Sequence, residues 1–169
     1  MFNIGDLIFY SKTGVCEVLE ITEIESSAFS EPKLYYLLKP LYQECNISIP
    51  VDNDKVFMRP ALSKESVNEL IDEIPEIEVE AYYSQNLNQL KNHYKELMDS
   101  HSCRDMIELI MSVYKKKQEA EENKRKLGAV DERFLKEAEE LIHGEFAAVL
   151  EIPKNQVQTY IRDRIGDEN

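Results

Sequence analysis

The stretch 46–51, NISIPV, places an apolar side chain at every second position. Successive side chains of a β-strand point to opposite faces, so we expect Ile47, Ile49 and Val51 to face a core. The residues expected to face outward are Asn46, Ser48 and Pro50. Because proline has no N–H to donate to a neighbouring strand, this pattern predicts a strand at or near the edge of a sheet.

The sequence before this stretch contains further strand patterns separated by turn residues. Residues 7–10, 15–25 and 33–39 are rich in β-branched and aromatic side chains, which is typical of strands. The apolar positions of the second strand change phase along its length, which predicts a bulge near Val18 and Leu19. Four or five short strands within about 60 residues curl most easily into a small, partly open barrel.

The sequence after residue 61 has helical periodicity instead. One amphipathic stripe is formed by Tyr83, Leu87, Leu90, Tyr94 and Leu97. A second helix follows Ser102 and should end near residues 127–128. We therefore predict an α+β protein with two domains, a β-barrel over residues 1–60 and an all-α helical bundle over residues 61–169.

Capping residues give the expected ends of the helices. Ser63 and Ser102 are N-cap residues, and Pro75 ends the first helix. We predict that Gly128 caps the C-terminus of the long helix that follows Ser102. Asp131 then caps the next helix. A short last helix is expected to start at residue 153, where the sequence has a proline.

The charge balance of the chain excludes one large class of function. There are 20 basic and 33 acidic residues among 169, which gives a formal net charge of −13. A protein that coats nucleic acid through its overall charge should be basic. There is no apolar stretch of membrane-spanning length, so we expect a soluble, cytoplasmic protein that binds no membrane. Cys16, Cys45 and Cys103 form no CxxC pair, which predicts reduced cysteines and neither a disulfide framework nor a metal site.

The residues that could support catalysis are few. His93, His101 and His143 belong to different predicted helices or their ends, and there is no Gly-rich phosphate loop or GxSxG motif. We therefore expect no catalytic residues, no metal and no cofactor, and predict that the chain is not an enzyme. A small metal- or thiol-dependent enzyme that uses His101 and Cys103 is a further hypothesis, and it requires these groups to converge.

Two features are candidates for binding. The edge strand at 46–51 could accept a partner strand, although Pro50 also blunts such an edge. Six cations, at 115–117 and 124–126, lie in the C-terminal half of one predicted helix. They could bind phosphate groups or could simply offset the helix dipole.

Segments along almost the whole chain resemble one known family. In the N-terminal part they are residues 1–6, Tyr10, residues 13–16, 33–40, 49–53 and 58–59. In the C-terminal part they are residues 74–75, 94–97, 109–110, 114–117, 137–139 and 145–147. Their order and spacing resemble the CarD/CdnL family of bacterial RNA polymerase-binding transcription regulators, most closely the branch common in clostridia. The same N-terminal fold occurs in the transcription-repair coupling factor.

This resemblance implies a fold and a function. It implies a Tudor-like or SH3-like N-terminal barrel that binds the lobe of the RNA polymerase β subunit, partly by extending a sheet. It also implies a helical domain that contacts promoter DNA at the upstream edge of the transcription bubble, where a tryptophan wedges into the minor groove. The resemblance thus predicts a regulator that changes initiation without reading sequence.

The resemblance also implies which residues make these contacts. The polymerase contact would use Glu23, Ile24, Asn46, Ser48 and Pro50. The DNA contact would use Tyr82, Tyr83, Arg104, Lys115, Lys116 and Lys117. The chain contains no tryptophan, so Tyr82 and Tyr83 are the substitutes for the wedge, although Tyr83 also fits the apolar stripe of its predicted helix and would then be buried.

The local charge allows a weak, non-sequence-specific DNA contact. Residues 82–118 contain 6 basic and 4 acidic side chains, whereas residues 61–169 contain 15 and 24. At physiological salt the Debye length is about 8 Å, which screens the more distant acids. The alternative hypothesis is a polymerase-bound adaptor whose helical domain binds a protein or self-associates.

Overall fold

The computed structural model describes residues 1–28 and 30–166. Within this part of the chain the strands are β1 (Leu7–Tyr10), β2 (Gly14–Ile24), β3 (Lys33–Pro40), β4 (Ile47–Pro50) and β5 (Met58–Pro60). They are followed by α1 (Lys64–Glu73), α2 (Leu87–Asp99), α3 (Cys103–Glu122), α4 (Ala129–Leu150) and α5 (Val157–Ile165). Short 3₁₀ turns at Ile74–Glu76 and Lys154–Gln156 complete the described elements. The predicted α+β class is confirmed.

The strands form one antiparallel sheet with the order β4-β3-β2-β1-β5. This order confirms that the stretch around Ser48 is an edge strand, because β4 pairs with β3 and ends the sheet. The predicted bulge is also confirmed, since the register between β2 and β3 shifts between Val18 and Glu20. The extra residue explains why the apolar positions of β2 change phase.

The two faces of the sheet have different neighbours. One face encloses a small core formed by Ile8, Cys16, Val18, Tyr36, Leu38 and Ile49. Phe9, which points to the opposite face, belongs to the larger core of the helices. The sheet and the helices are therefore in direct contact on this side. The division into domains at residue 60 stays a prediction.

Two of the predicted N-caps, Ser63 and Ser102, are confirmed by hydrogen bonds. The Ser63 hydroxyl accepts from the backbone N–H of Ser66 at the start of α1, and the Ser102 hydroxyl accepts from that of Asp105 at the start of α3. As predicted from Pro75, α1 ends at Glu73 and the chain continues as a 3₁₀ turn. No helix in the described residues is both long enough and apolar enough to cross a bilayer.

The connection between α3 and α4 corrects three predictions: the end of the helix that follows Ser102, the role of Gly128 and the role of Asp131. α3 ends at Glu122, and Lys124 adopts a left-handed conformation with φ of 55°, so the cations at 124–126 lie beyond the helix. Gly128 is the N-cap of α4 and not the C-cap of α3. Asp131 lies inside the first turn of α4 and is buried. The reason is that Asp131 is paired with a buried lysine of α3 instead of capping the helix.

The start of α2 corrects a fourth prediction. The helix begins at Leu87, after Asn86 accepts hydrogen bonds from the N–H groups of Asn88 and Gln89. Tyr83 therefore lies in the extended segment before the helix, and 58% of its surface is exposed. The predicted stripe keeps its buried members Leu90 and Tyr94, but it does not include Tyr83.

Candidate functional site

The free edge of β4 is defined by its hydrogen bonds to β3. Residues of an antiparallel pair alternate between positions whose backbone groups face the partner strand and positions whose groups face away. The N–H of Val51 donates to the carbonyl of Leu34 (2.9 Å), and the Ile49–Tyr36 pair lies in the same register. The odd-numbered residues of β4 therefore bond to β3, and the even-numbered residues direct their backbone groups outward.

Ser48 is the residue of β4 that presents both a donor and an acceptor at this edge. Pro50 also faces outward, but it has no N–H, and its carbonyl accepts from the N–H of Asn53 (3.1 Å). Asn46 precedes the strand and is exposed. A partner strand would therefore exchange its hydrogen bonds with Ser48.

The outward face of the sheet beside Ser48 is partly apolar. Ser48 lies opposite Leu37, and Pro50 lies opposite Tyr35; both β3 side chains are half-buried. Ile24 shares this face at the far end of β2 and is 38% exposed. Glu23 points to the opposite face because it neighbours Ile24 in the strand. The structure thus brings Ile24, Ser48 and Pro50 onto one face.

The two tyrosines proposed as wedges have different environments. Tyr82 is half-buried and stacks on His93 with ring centroids 3.9 Å apart. Tyr83 is exposed, its hydroxyl donates to Glu119, and the ammonium of Lys116 lies 4.7 Å from its ring centroid. The hydrogen bond to Glu119 raises the pKa of Tyr83 to about 12. Of the two side chains, that of Tyr83 is the more exposed.

Leu87, which the apolar stripe predicted on the core-facing side of its helix, is a surface residue instead. Leu87 is 59% exposed and lines a cavity of about 660 Å³ together with Tyr83, Leu90 and Val130. Asn86 could have indicated this from the sequence, because asparagine is a strong N-cap residue. As the N-cap, Asn86 makes Leu87 the first residue of the helix, before the first buried position of the stripe. Tyr83 and Leu87 form an exposed apolar pair, which we call the Tyr83–Leu87 pair.

The predicted cations do not form one cluster. Arg104 lies near Glu73 and Glu108, each at 3.5 Å. It precedes Lys116 by twelve residues of α3, which is about 18 Å of helix rise. Arg104 is thus not brought beside the Tyr83 ring, which Lys116 contacts.

The three consecutive lysines of α3 differ in their contacts. The ammonium of Lys115 donates to the carbonyl of Val79 (2.8 Å). Lys116 is 7% exposed, and its ammonium lies 2.9 Å from Asp131. Lys117 is exposed and borders a groove of mixed charge, lined by three further cations, Arg125, Lys126 and Lys136, and by three acids, Glu121, Glu132 and Glu139. The charge of Lys116 is therefore neutralised inside the protein, and Lys117 is the member of this run that lies with other cations.

The buried ion pair of Lys116 has a third member. The hydroxyl of Tyr94, which is fully buried, donates to the same oxygen of Asp131 at 2.5 Å. Burial raises the pKa of the Tyr94 hydroxyl, so it remains a donor. This network joins α2, α3 and α4 beneath the Tyr83–Leu87 pair.

A family model for the CarD-like/TRCF RID domain matches residues 2–62. Residues 2–62 form a CarD-like/TRCF RID domain. The match contains β1 to β5 and ends directly before the N-cap of α1. No curated protein matches the sequence of this chain. Since the RID domain is an RNA polymerase-interacting module, the match indicates a polymerase-binding regulator.

The extent of the RID match divides the candidate residues. The edge of β4 and Ile24 lie within the matched domain. The Tyr83–Leu87 pair and the cations of α3 lie outside it. The RID match thus bears on the polymerase contact and not on DNA, and the clostridial branch stays a prediction.

The groups proposed for catalysis have other partners. The thiol of Cys103 lies 3.3 Å from a carboxylate oxygen of Glu145, and burial raises its pKa to about 12. A nucleophilic cysteine needs a thiolate, which this environment disfavours. The ring of His101 stacks on Phe57 at 4.2 Å. In the described residues, no three His, Cys, Asp or Glu side chains are grouped as a metal site requires. Domains of the RID family occur generally in non-catalytic regulators.

Proposed function

We propose that this chain is a transcription regulator that binds the β subunit of RNA polymerase through the β4 edge of its RID domain. The observation that carries the proposal is the outward N–H and C=O pair of Ser48 at the end of the sheet. Backbone pairing supplies affinity, and the apolar neighbours Leu37 and Tyr35 supply a surface for the side chains of the partner strand. Ile24 extends this surface, whereas Glu23 and Asn46 contact the polymerase at its margins.

The sharpest test replaces the N–H of Ser48 without disturbing β3. Ser48→Pro removes the outward donor, while the hydrogen bonds of Ile49 and Val51 to β3 remain. An unpaired carbonyl on the polymerase costs about 1–3 kcal/mol, so we expect binding to weaken by about 5- to 160-fold. Ser48→Ala, which keeps the N–H, should bind as the unchanged chain does. Equal binding of both variants to a β-lobe fragment would exclude strand pairing at this edge.

We further propose that the helical part contacts promoter DNA through the Tyr83–Leu87 pair. Apolar side chains insert at base steps that are already unstacked, which is the situation at the edge of a transcription bubble. Exposure of 58% and 59% makes this pair suitable for insertion. Because the polymerase tethers the chain, a weak contact is sufficient. Lys117 and Lys115 would approach the phosphates, and Tyr82 and Lys116 would support the site from within.

The DNA contact is tested on a forked promoter fragment in the presence of polymerase. The double variant Tyr83→Ala/Leu87→Ala should shorten the lifetime of the polymerase–promoter complex relative to the unchanged chain. The amount by which the unchanged chain lengthens this lifetime should decrease as salt is added. Ile4→Ala is the matched control, since it truncates a side chain that is 64% exposed but belongs to the sheet region. The DNA proposal fails if the double variant and the control behave alike.

The acidic character of the helical part favours one alternative. Residues 61–169 carry 24 acidic and 15 basic side chains, and the charge of Lys116 is neutralised internally. In this alternative the chain is an adaptor, and the Tyr83–Leu87 pair binds a protein or a second copy. Polymerase binding would then persist, complexes with promoter DNA would be insensitive to the double variant, and sedimentation would show a larger assembly.

A further inference from the structure

One segment of α4, residues 141–145, receives contacts from three separate parts of the sheet. They come from β5, from the connection between β3 and β4, and from the first residue of β2. Each contact uses a different residue of α4, as Glu145, Gly144 and Leu141 respectively. Each of these three contacts joins residues that are far apart in sequence.

The first contact is a buried ion pair. Arg59 of β5 donates two hydrogen bonds of 2.7 Å to the two carboxylate oxygens of Glu145, whose side chain has no exposed surface. The backbone N–H of Leu62 donates to the same carboxylate at 3.0 Å. The guanidinium also lies 4.5 Å from the ring centroid of Phe9 in β1. A bidentate pair fixes direction as well as distance, because the fork and the carboxylate must be coplanar.

The other two contacts are close approaches that allow little side-chain volume. The hydroxyl of Tyr42 donates to the carbonyl of Gly144 (3.0 Å), and a Cβ on Gly144 would lie 3.1 Å from the ring of Tyr42. A Cβ on Gly14 would lie 3.2 Å from the Cδ2 atom of Leu141. Gly14, the first residue of β2, also has φ of 94°, a conformation that favours glycine.

Three separated contacts constrain orientation in a way that one contact does not. A single ion pair leaves rotation about its axis, and two contacts leave rotation about the line between them. Arg59 lies on one edge strand, whereas Tyr42 follows β3 on the other side of the sheet. The contacts therefore approach α4 from separated positions on the sheet and oppose rotation between the sheet and the helices.

We propose that residues 141–145 of α4 are a three-point seat that fixes the orientation of the RID domain relative to the helical part, with Arg59 and Glu145 as positioning residues. This seat holds the β4 edge and the Tyr83–Leu87 pair at a set separation and angle. Its functional consequence rests on the proposed function, since a fixed geometry raises the effective concentration of the DNA-contacting pair once the polymerase is bound.

Orientation is measured directly with two spin labels. In a Cys45→Ser background, Thr22→Cys reports on the sheet and Glu122→Cys on α3; both positions are exposed, and Cys16 and Cys103 are buried. We expect one narrow distance distribution for this protein. Glu145→Gln removes the charge at nearly constant shape and should at least double the width of the distribution. A cooperative thermal transition establishes that the variant is folded.

A second pair of variants keeps the test decisive if Glu145→Gln does not fold. Tyr42→Phe removes the hydrogen bond to Gly144, and Gly144→Ala introduces a Cβ against the Tyr42 ring. Both should broaden the distribution. The matched control is Tyr114→Phe, which removes a phenol–carboxylate hydrogen bond to Glu139 within the helical part. A distribution as narrow in the folded seat variants as in the control would overturn the proposal.

The functional consequence has its own measurement, which is the lifetime of the polymerase–promoter open complex. We expect Glu145→Gln to bind the β-lobe fragment within twofold of the unchanged chain and to lose at least half of its effect on the lifetime. If the variant broadens the distribution but keeps its full effect, the seat does not position the DNA contact. If the unchanged chain has no effect on the lifetime, the proposed function fails, whereas the spin-label result on orientation stands.

Discussion

Replacing Lys116 by methionine tests the buried network beneath the Tyr83–Leu87 pair. The change removes the ammonium 2.9 Å from Asp131 and keeps a side chain of similar length. Both side chains of this pair are buried, with exposures of 8% and 7%, so the small value typical of surface salt bridges does not apply. Asp131 would retain the hydrogen bond from Tyr94 but would remain as a buried charge without its cation.

The expected loss of stability follows from this geometry. Removing one partner of a buried ion pair costs about 3–5 kcal/mol. The carboxylate of Asp131 lies in the first turn of α4, where the helix dipole stabilises a negative charge by about 0.3–1 kcal/mol. We therefore expect the loss of unfolding free energy to lie at the lower end of this range, at about 3 kcal/mol. At about 2–4 °C per kcal/mol for a chain of this size, Tm should fall by about 6–12 °C.

The assay is urea unfolding followed by circular dichroism at 222 nm. Lys115→Met is the control, because Lys115 is the adjacent lysine and is exposed; its loss should cost less than about 1 kcal/mol. The double variant Lys116→Met/Asp131→Asn removes both charges and keeps an oxygen that can accept from Tyr94. The free energy of unfolding of this double variant should be higher than that of Lys116→Met by at least about 1 kcal/mol. A cost below about 1 kcal/mol for Lys116→Met, or no recovery in the double variant, would refute this reasoning.

Three further predictions concern local chemistry. At pH 8 a thiol reagent should modify Cys45 rapidly and should modify Cys16 and Cys103 slowly. The reason is that burial raises the pKa of Cys16 to about 11 and that of Cys103 to about 12. Rapid modification of all three thiols in the folded protein would contradict this prediction. Burial lowers the pKa of His143, so the unfolded chain binds more protons below about pH 6.5 and the free energy of unfolding should fall on acidification. Urea titrations at pH 7.5 and 5.5 should show a smaller fall for His143→Gln than for the unchanged chain. Ser63→Ala should cost about 1 kcal/mol in the same assay, and a change near zero would deny that its hydroxyl caps α1.

The sheet could be predicted closely because its signals are local. The alternation at 46–51 predicted β4 and its buried Ile49, and Pro50 predicted its place at the edge. The phase change in β2 predicted the bulge, since an extra residue shifts every following side chain to the other face. Each of these patterns is contained within one element and needs no knowledge of a distant partner.

The candidate surface on the helices could be predicted only in part. Tyr83 has the spacing of a core residue, but Asn86 starts α2 after it and leaves its ring exposed. Gly128 has the residue type of a C-cap, yet the chain turns before it, at Lys124. In both cases two local signals competed, so spacing or residue type alone did not decide between them.

By itself, the sequence determined the α+β order, the strand alternation, the edge position of β4 and the N-caps of α1 and α3, because neighbouring residues encode these features through spacing. Only the tertiary structure decided that Lys116 is neutralised by Asp131, fifteen residues away, and that Arg59 meets Glu145 across 86 residues. Formal charge in a sequence does not say whether a side chain faces water. That depends on which surfaces the helices and the sheet bury against each other, and the fate of a buried charge depends on the partner that this packing brings to it.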